Sequence, residues 1–197
     1  MTLMFQGGGS PGLSYIASEF ADTTTTSLVV NVPSHNTGDK IYVFIGSESA
    51  SAADPITTSD GLTNEASRTG NVTYVWSKVA GGSEPATYTF TLSSASDAVA
   101  IAVSLRNFTS DVIGAISATD TAAGVTMTNA GILLCFSNKE GGAITSGPSG
   151  MTVIKEHIYS GHEAGLYREN VSSGATGIRQ TTFSGGTNEN SILVGVW

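Results

Sequence analysis

Two stretches of this chain repeat one another at a separation of about ninety residues, and that repetition constrains the fold more than any other feature. The first half runs GDKIYVFIG, ITTSDGLTNEAS and NVTYVWSKVAGGSEPATYTFTLSSASDAVAIAVSL. The second runs NAGILLCFS, ITSGPSGMTVIKEH and EAGLYRENVSSGATGIRQTTFSGGTNENSILVGVW. Ile41 aligns with Ile132, Gly61-Leu62 with Gly150-Met151, Tyr74–Val79 with Gly165–Asn170, Phe90 with Phe183 and Ile101 with Ile192. Two units are too few for a solenoid. The expectation is two related halves, near 28–110 and 125–197, that close one core.

Nearly every segment within those halves reads at a period of two, the side-chain period of a strand. Turn clusters such as Ser59-Asp60-Gly61, Gly81-Gly82-Ser83-Glu84-Pro85 and Gly147-Pro148-Ser149-Gly150 separate them. Ala98–Leu105 is read as a core strand with its small residues outward. Tyr74 and Trp76 share one face of the Val72–Val79 strand, with Trp76 a packing residue, and Trp197 closes the core at the last strand. No window carries a helical period. The sequence therefore predicts an all-β, antiparallel, jelly-roll-like sandwich, one domain over 21–197, preceded by a Gly-rich arm and first strand over 1–20.

Composition narrows what such a fold can do. Gly, Ser and Thr make up roughly two-fifths of the chain, yet 40% of the residues are hydrophobic, enough to fill a core. Eight basic residues are scattered through a chain of net charge −8, which argues against a nucleic-acid partner, since phosphate binding needs clustered Lys and Arg. The first residues lack the basic and apolar blocks of a signal peptide, and no apolar run reaches spanning length, so synthesis in a cytoplasm without membrane insertion is expected. The single cysteine, Cys135, lies in the run Ile132–Phe136 and reads as a buried small hydrophobe.

The segment Val75-Trp76-Ser77-Lys78-Val79-Ala80-Gly81-Gly82-Ser83-Glu84-Pro85-Ala86-Thr87-Tyr88-Thr89-Phe90 resembles a family of bacteriophage-encoded β-sandwich proteins found among virion structural genes. Gly38-Asp39-Lys40-Ile41-Tyr42-Val43 is similar to the turn-and-strand that opens the family pattern, and Asp54-Pro55 to Thr63 is similar to its next segment, with Leu62 where an aromatic is common. Ala98 to Asn107-Phe108 is similar to its closing strand and aromatic turn. The resemblance implies a non-enzymatic virion protein, a capsid decoration or cement protein, partnered by the major capsid protein or other virion proteins and by copies of itself. Leu3, Met4 and Phe5 on the arm are then the candidate assembly anchors. The alternative is a tail-fibre or tail-tip module that binds host-surface carbohydrate, for which Tyr15, Tyr42, Tyr159 and Tyr167 are the aromatics to examine.

Chemistry-bearing residues give a thinner signal. His35 reads as solvated in a polar turn, while His157 and His162 straddle a Ser-Gly turn without a cysteine or carboxylate pair to complete a metal site. Glu48, Asp54, Asp60, Glu65, Glu156 and Glu163 read as solvated charges in or beside turns. No nucleophile elbow, P-loop or dinucleotide fingerprint is present in the sequence. The expectation is no catalytic residue, no metal and no cofactor.

Overall fold

A computed structural model of the chain describes residues 12–48, 56–68 and 72–197, and the arm residues Leu3, Met4 and Phe5 lie outside them. The first half carries β1 (Ser14–Thr23), β2 (Ser27–Asn31), β3 (Lys40–Ser47) and β4 (Thr57–Thr58). It continues with β5 (Thr63–Arg68), β6 (Val72–Val79), β7 (Thr87–Thr91) and β8 (Ala98–Arg106). The second half begins with β9 (Asp111–Ile113), β10 (Thr121–Ala122), β11 (Thr126–Met127), β12 (Gly131–Glu140) and β13 (Ala143–Ser146). β14 (Thr152–Tyr159), β15 (His162–Val171) and β16 (Gly174–Ala175) follow, then β17 (Arg179–Gln180), β18 (Thr182–Ser184) and β19 (Thr187–Val196). Every pairing is antiparallel, and the described residues form no helix, so none crosses a membrane as one.

The apolar runs dictate the layering. IYVFIG in β3, AVAIAVSL in β8 and ILLCF in β12 do not alternate, and such runs suit strands covered on both faces. β3 and β8 lie in a five-stranded sheet of order β1-β8-β3-β6-β5, and β12 is the centre of another, β14-β15-β12-β19-β9. Strands that do alternate, such as β2 and β7, join β4 in an outer three-stranded sheet with one buried face. Leu28, Val30, Tyr88 and Phe90 from that sheet pack on Ile41, Val43, Ile45, Tyr74 and Trp76. The opposite face of the same large sheet offers Tyr42, Phe44, Ile101 and Val103 to Leu134, Phe136, Leu166 and Ile192 of the other. This second layer of apolar side chains is the seam between the two large sheets. Leu133, Cys135, Tyr167 and Leu193 then point away from the seam into an outer layer with Ala122, Val125 and Met151.

The protein is therefore an all-β antiparallel sandwich in which two large sheets meet face to face, each covered on its far side. Ala98, Ala100 and Ala102 are fully buried against the outer sheet of their half, a correction to the reading that placed them outward. They are small because that sheet needs room, not because they meet water. The two large sheets also share a connection pattern. Each has its first long apolar strand at the centre (β3, β12), flanked by the next long strand of its half to pair with it (β6, β15) and by the last (β8, β19).

Some of the residues that the sequence sets against one another share a side-chain direction. Trp76 and Tyr167 both point to the outer layer of their own half, and Ile101 and Ile192 both face the seam. Gly61 and Gly150 both take positive φ, +72° and +82°, and the residues after them, Leu62 and Met151, each pack in their own outer layer. Ile41 and Ile132 break the pattern, since Ile41 faces the outer layer and Ile132 the seam. A slip of one residue reverses a strand's faces, so Ile41 and Ile132 do not hold equivalent positions in their strands.

Close approach of the sheets requires a glycine at one point. A Cβ on Gly46 would lie 2.8 Å from Cβ, Cγ and Nδ2 of Asn138, whose Oδ1 accepts a 2.8 Å hydrogen bond from Thr73 Oγ1. Gly46→Ala is expected to cost about 1–3 kcal/mol in urea unfolding, because Asn138 is fully packed and its displacement breaks a buried hydrogen bond.

Candidate functional site

The two ends of the seam are finished differently. At one end Lys40 Nζ lies 3.3 Å from Asp111 and 3.9 Å from Glu65. Tyr42 donates to Asp111 at 2.5 Å and Ser77 to Glu65 at 2.5 Å, while the Lys40 ammonium also sits over the Tyr42 and Phe108 rings. Burial, with Asp111 beside it, raises the Tyr42 phenol far above its ordinary range. Because Lys40 belongs to β3 and Asp111 to β9, this ion cluster ties one sheet to the other.

The opposite end is about 25 Å away along β3, at 3.3 Å per residue. There the seam turns polar. Thr73 bonds Asn138, Arg68 donates to Asn190, and beyond them four titratable side chains meet. Strand alternation places them: Glu48 follows Tyr42, Phe44 and Gly46 on the seam face, and Asp97 precedes Val99 and Ile101. The Glu48 amide donates to the Asp97 carbonyl at 2.9 Å, extending the β3–β8 ladder by one pair. From the other sheet, Glu140 and His162 are direct partners in the β12–β15 register. The two-residue turn Ser160-Gly161, with φ of 50° and 90°, reverses the chain tightly enough to start β15 at His162.

His162 is 1% exposed, and neither ring nitrogen has a hydrogen-bond partner among the described residues. Burial lowers its pKa to about 4, against a weaker opposing pull from Asp97, so the ring is neutral at pH 7. Glu48 is raised by burial and by the nearby charges of Asp97 and Glu140. Asn188 donates to Glu140 at 2.6 Å. The described residues hold no group of three His, Cys, Asp or Glu spaced to hold a metal ion.

His157 takes a different partner from His162. Its Nε2 lies 2.6 Å from Asp22 of β1, and its ring packs 4.7 Å from Phe20. Lys155 Nζ sits 3.7 Å over the same Phe20 ring. Here the open edge of one large sheet, β1, runs beside the open edge of the other, β14. Phe20 is 41% exposed, and β14 adds Val153 at 50% and Ile158 at 58%. Sheet edges leave backbone groups unpaired, and apolar side chains beside them mark a surface that pairs with another chain.

Several residues singled out by sequence have structural partners. Glu156 and Glu163 lie in strands rather than turns, a correction to their reading as loop charges: Tyr167 donates to Glu156 at 2.9 Å, and the Ile144 amide donates to Glu163. Burial raises Glu163. Glu65 likewise lies in β5, whereas Asp60 takes the Thr89 amide at 2.6 Å within its turn, and Asp54 lies outside the described residues. His35 bonds the Pro33 carbonyl at 2.8 Å. Tyr42 and Tyr167 are fully buried, and Tyr15 packs on Arg168 while Tyr159 packs near His157, so these four tyrosines form no common platform for a sugar.

A cleft of about 390 Å³ opens between Ser146, Gly147, Ser149 and Ile178–Gln180, but its Arg179 is engaged by Glu169 and by the Thr176 and Ile178 carbonyls. Cys135 is fully buried and burial pushes its thiol up to about 12. It should resist thiol reagents in the native protein and react at the rate of global unfolding, which a labelling time course in rising urea measures. No family model, no curated protein and no solved structure matches this chain.

Proposed function

We propose that the protein is a non-enzymatic structural component of a phage particle, a decoration or cement protein that docks through the adjoining open edges of its two large sheets. The observation that carries this reading is that β1 and β14, each an edge strand with one open side among the described residues, lie beside one another, with Phe20, Val153 and Ile158 exposed on them. An edge of that kind is an aggregation hazard for a free monomer and an asset for a protein that is covered in an assembly. The partners are the major capsid protein, other virion proteins or a further copy of the chain. The resemblance of Val75–Phe90 and its flanking segments to phage virion proteins supports the same assignment.

The groups most able to do chemistry have structural work elsewhere, which fits a scaffold. Glu163 pins β13 to β15, Arg179 is saturated by Glu169 and backbone carbonyls, and the Cys135 thiol packs in an apolar layer. Co-sedimentation with phage heads stripped of this component, with tails in parallel, tests the proposal. Stoichiometric binding to heads is expected, with loss of binding in a Val153→Lys/Ile158→Lys variant that keeps its thermal midpoint. Binding to tails alone, or to host cells in competition with free saccharide, would overturn the decoration role. Undiminished binding by the edge variant would overturn the docking surface.

A further inference from the structure

We propose that the His162 end of the seam is an acid-operated latch, in which protonation of the buried imidazole opens the contact between the two large sheets at that end while the Lys40 end stays closed. His162 is sealed at the mouth of the seam, faces the opposing sheet and has neither ring nitrogen paired among the described residues. Imidazolium has two N–H donors, and both need an acceptor once the ring is charged. Among the described residues no acceptor is in hydrogen-bond position as the sheets now stand, so the charged ring demands either water or a rearranged carboxylate, each reached by parting the sheets.

Charged and titratable groups surround His162 on several strands. Its register neighbours are Glu140 on β12 and Tyr159 on β14. The facing sheet contributes Asp97 just before β8 and Glu48 just after β3, while β1 contributes Asp22, already paired with His157. Arg68 on β5 is committed to Asn190, and Lys139, the register partner of Glu163, pairs with Glu189. Glu163, next to His162 in sequence, points to the outer layer and bonds Ile144. Glu48 and Asp97 are close enough to repel, and burial and mutual repulsion favour a proton on Glu48. Acidification therefore charges the imidazole while it lowers the negative charge beside it at Glu48, leaving the ring to the weaker pull of Asp97.

The far end does not follow. Lys40, Asp111 and Glu65 already form a compensated cluster, reinforced by Tyr42 and Ser77. Opening is thus local, confined to the ends of β3, β12 and β15 and the start of β8, and it exposes backbone amides there without global unfolding. The latch does not depend on what the protein docks against.

Two measurements on the wild-type chain test it. A ¹³C-edited NMR titration of the imidazoles should show His162 titrating at least ten-fold weaker in proton affinity than it does in the urea-unfolded chain. Amide exchange at pH 7 and pH 5, corrected for intrinsic rates, should show protection lost ten-fold or more at Asn138–Glu140, His162–Ala164 and Val99, and unchanged at Tyr42 and Val103. A His162→Gln variant should abolish the pH dependence of that exchange. An ordinary histidine titration for His162, or protection that falls equally at both ends of the seam, would overturn the latch. If the variant folds and keeps the same pH-dependent exchange, the proposal fails as well.

Discussion

Phe136→Ala is expected to destabilise the protein by about 3–5 kcal/mol, the range for deleting a buried aromatic from a core that cannot collapse around the gap. Phe136 lies on the central strand β12, fully buried, with its ring centroid 5.4 Å from that of Phe44 in the facing sheet. Leu134, Leu166, Ile101 and Ile192 complete its surroundings, all held by two-sided sheets. Strands of that kind cannot shift inward without disturbing the layer behind them, so most of the cavity persists. Equilibrium urea unfolding measures the cost, with Val29→Ala on the outer sheet as the comparison, where the half-exposed side chain should cost under about 1 kcal/mol. Equal costs at the two sites would mean that the large sheets do not pack as described.

The second large effect is a loss of stability in mild acid that a His162→Met variant does not show. Histidine in the unfolded chain titrates near 6.5, while burial holds native His162 near 4. Between those values the unfolded chain binds a proton that the native protein does not. Stability therefore falls as pH decreases through this window, is fully present above 6.5, and by pH 4 is lower by about 3 kcal/mol at 1.36 kcal/mol per pKa unit. Glu48 and Glu163 act in the opposite sense. Their raised native values mean the folded protein takes up protons first, which adds stability as pH falls towards the usual carboxylate range. The difference between wild type and variant isolates the histidine, because both carboxylates are common to the two. Thermal or urea midpoints at half-unit steps from pH 7.5 to 4 give the curve. Parallel curves would show that His162 is solvated in the native state.

The sequence made the strands legible where burial leaves a pattern and obscured them where it does not. β2 and β7 alternate because one face meets water, and Ser27–Asn31 and Thr87–Thr91 can be read from that alone. β5, with the polar sequence TNEASR, is an edge strand that buries little, and its pairing with β6 leaves no apolar signature. Ile178–Phe183 looks like one strand but is two short pieces, β17 and β18, that pair with different partners. The carboxylates misled for a related reason. Glu163 is the second residue of a strand that begins directly after a tight turn, and sequence shows the turn more clearly than the strand.

The candidate site was less legible still. His157 and His162 stand out as a pair, yet their partners, Asp22 and the Asp97 neighbourhood, lie more than sixty positions away along the chain. Nothing local in Glu48, Asp97 or Glu140 marks them as neighbours, since they lie at the ends of three different strands, β3, β8 and β12. Strand alternation could have put each of the four on a face, but only with the correct register. The one-residue slip between Ile41 and Ile132 shows how easily that register is lost.

The sequence by itself determined an all-β chain, the turns, and the burial of Cys135 and Trp76, because all of these follow from local conformational preference and the transfer of apolar surface out of water. Only the tertiary structure decided which face of each run meets which layer, that Lys40 closes one end of the seam, and that His162 is sealed unpaired at the other. Those outcomes depend on how two large sheets pack against each other, and long-range packing is set by side chains that meet only after the chain has folded.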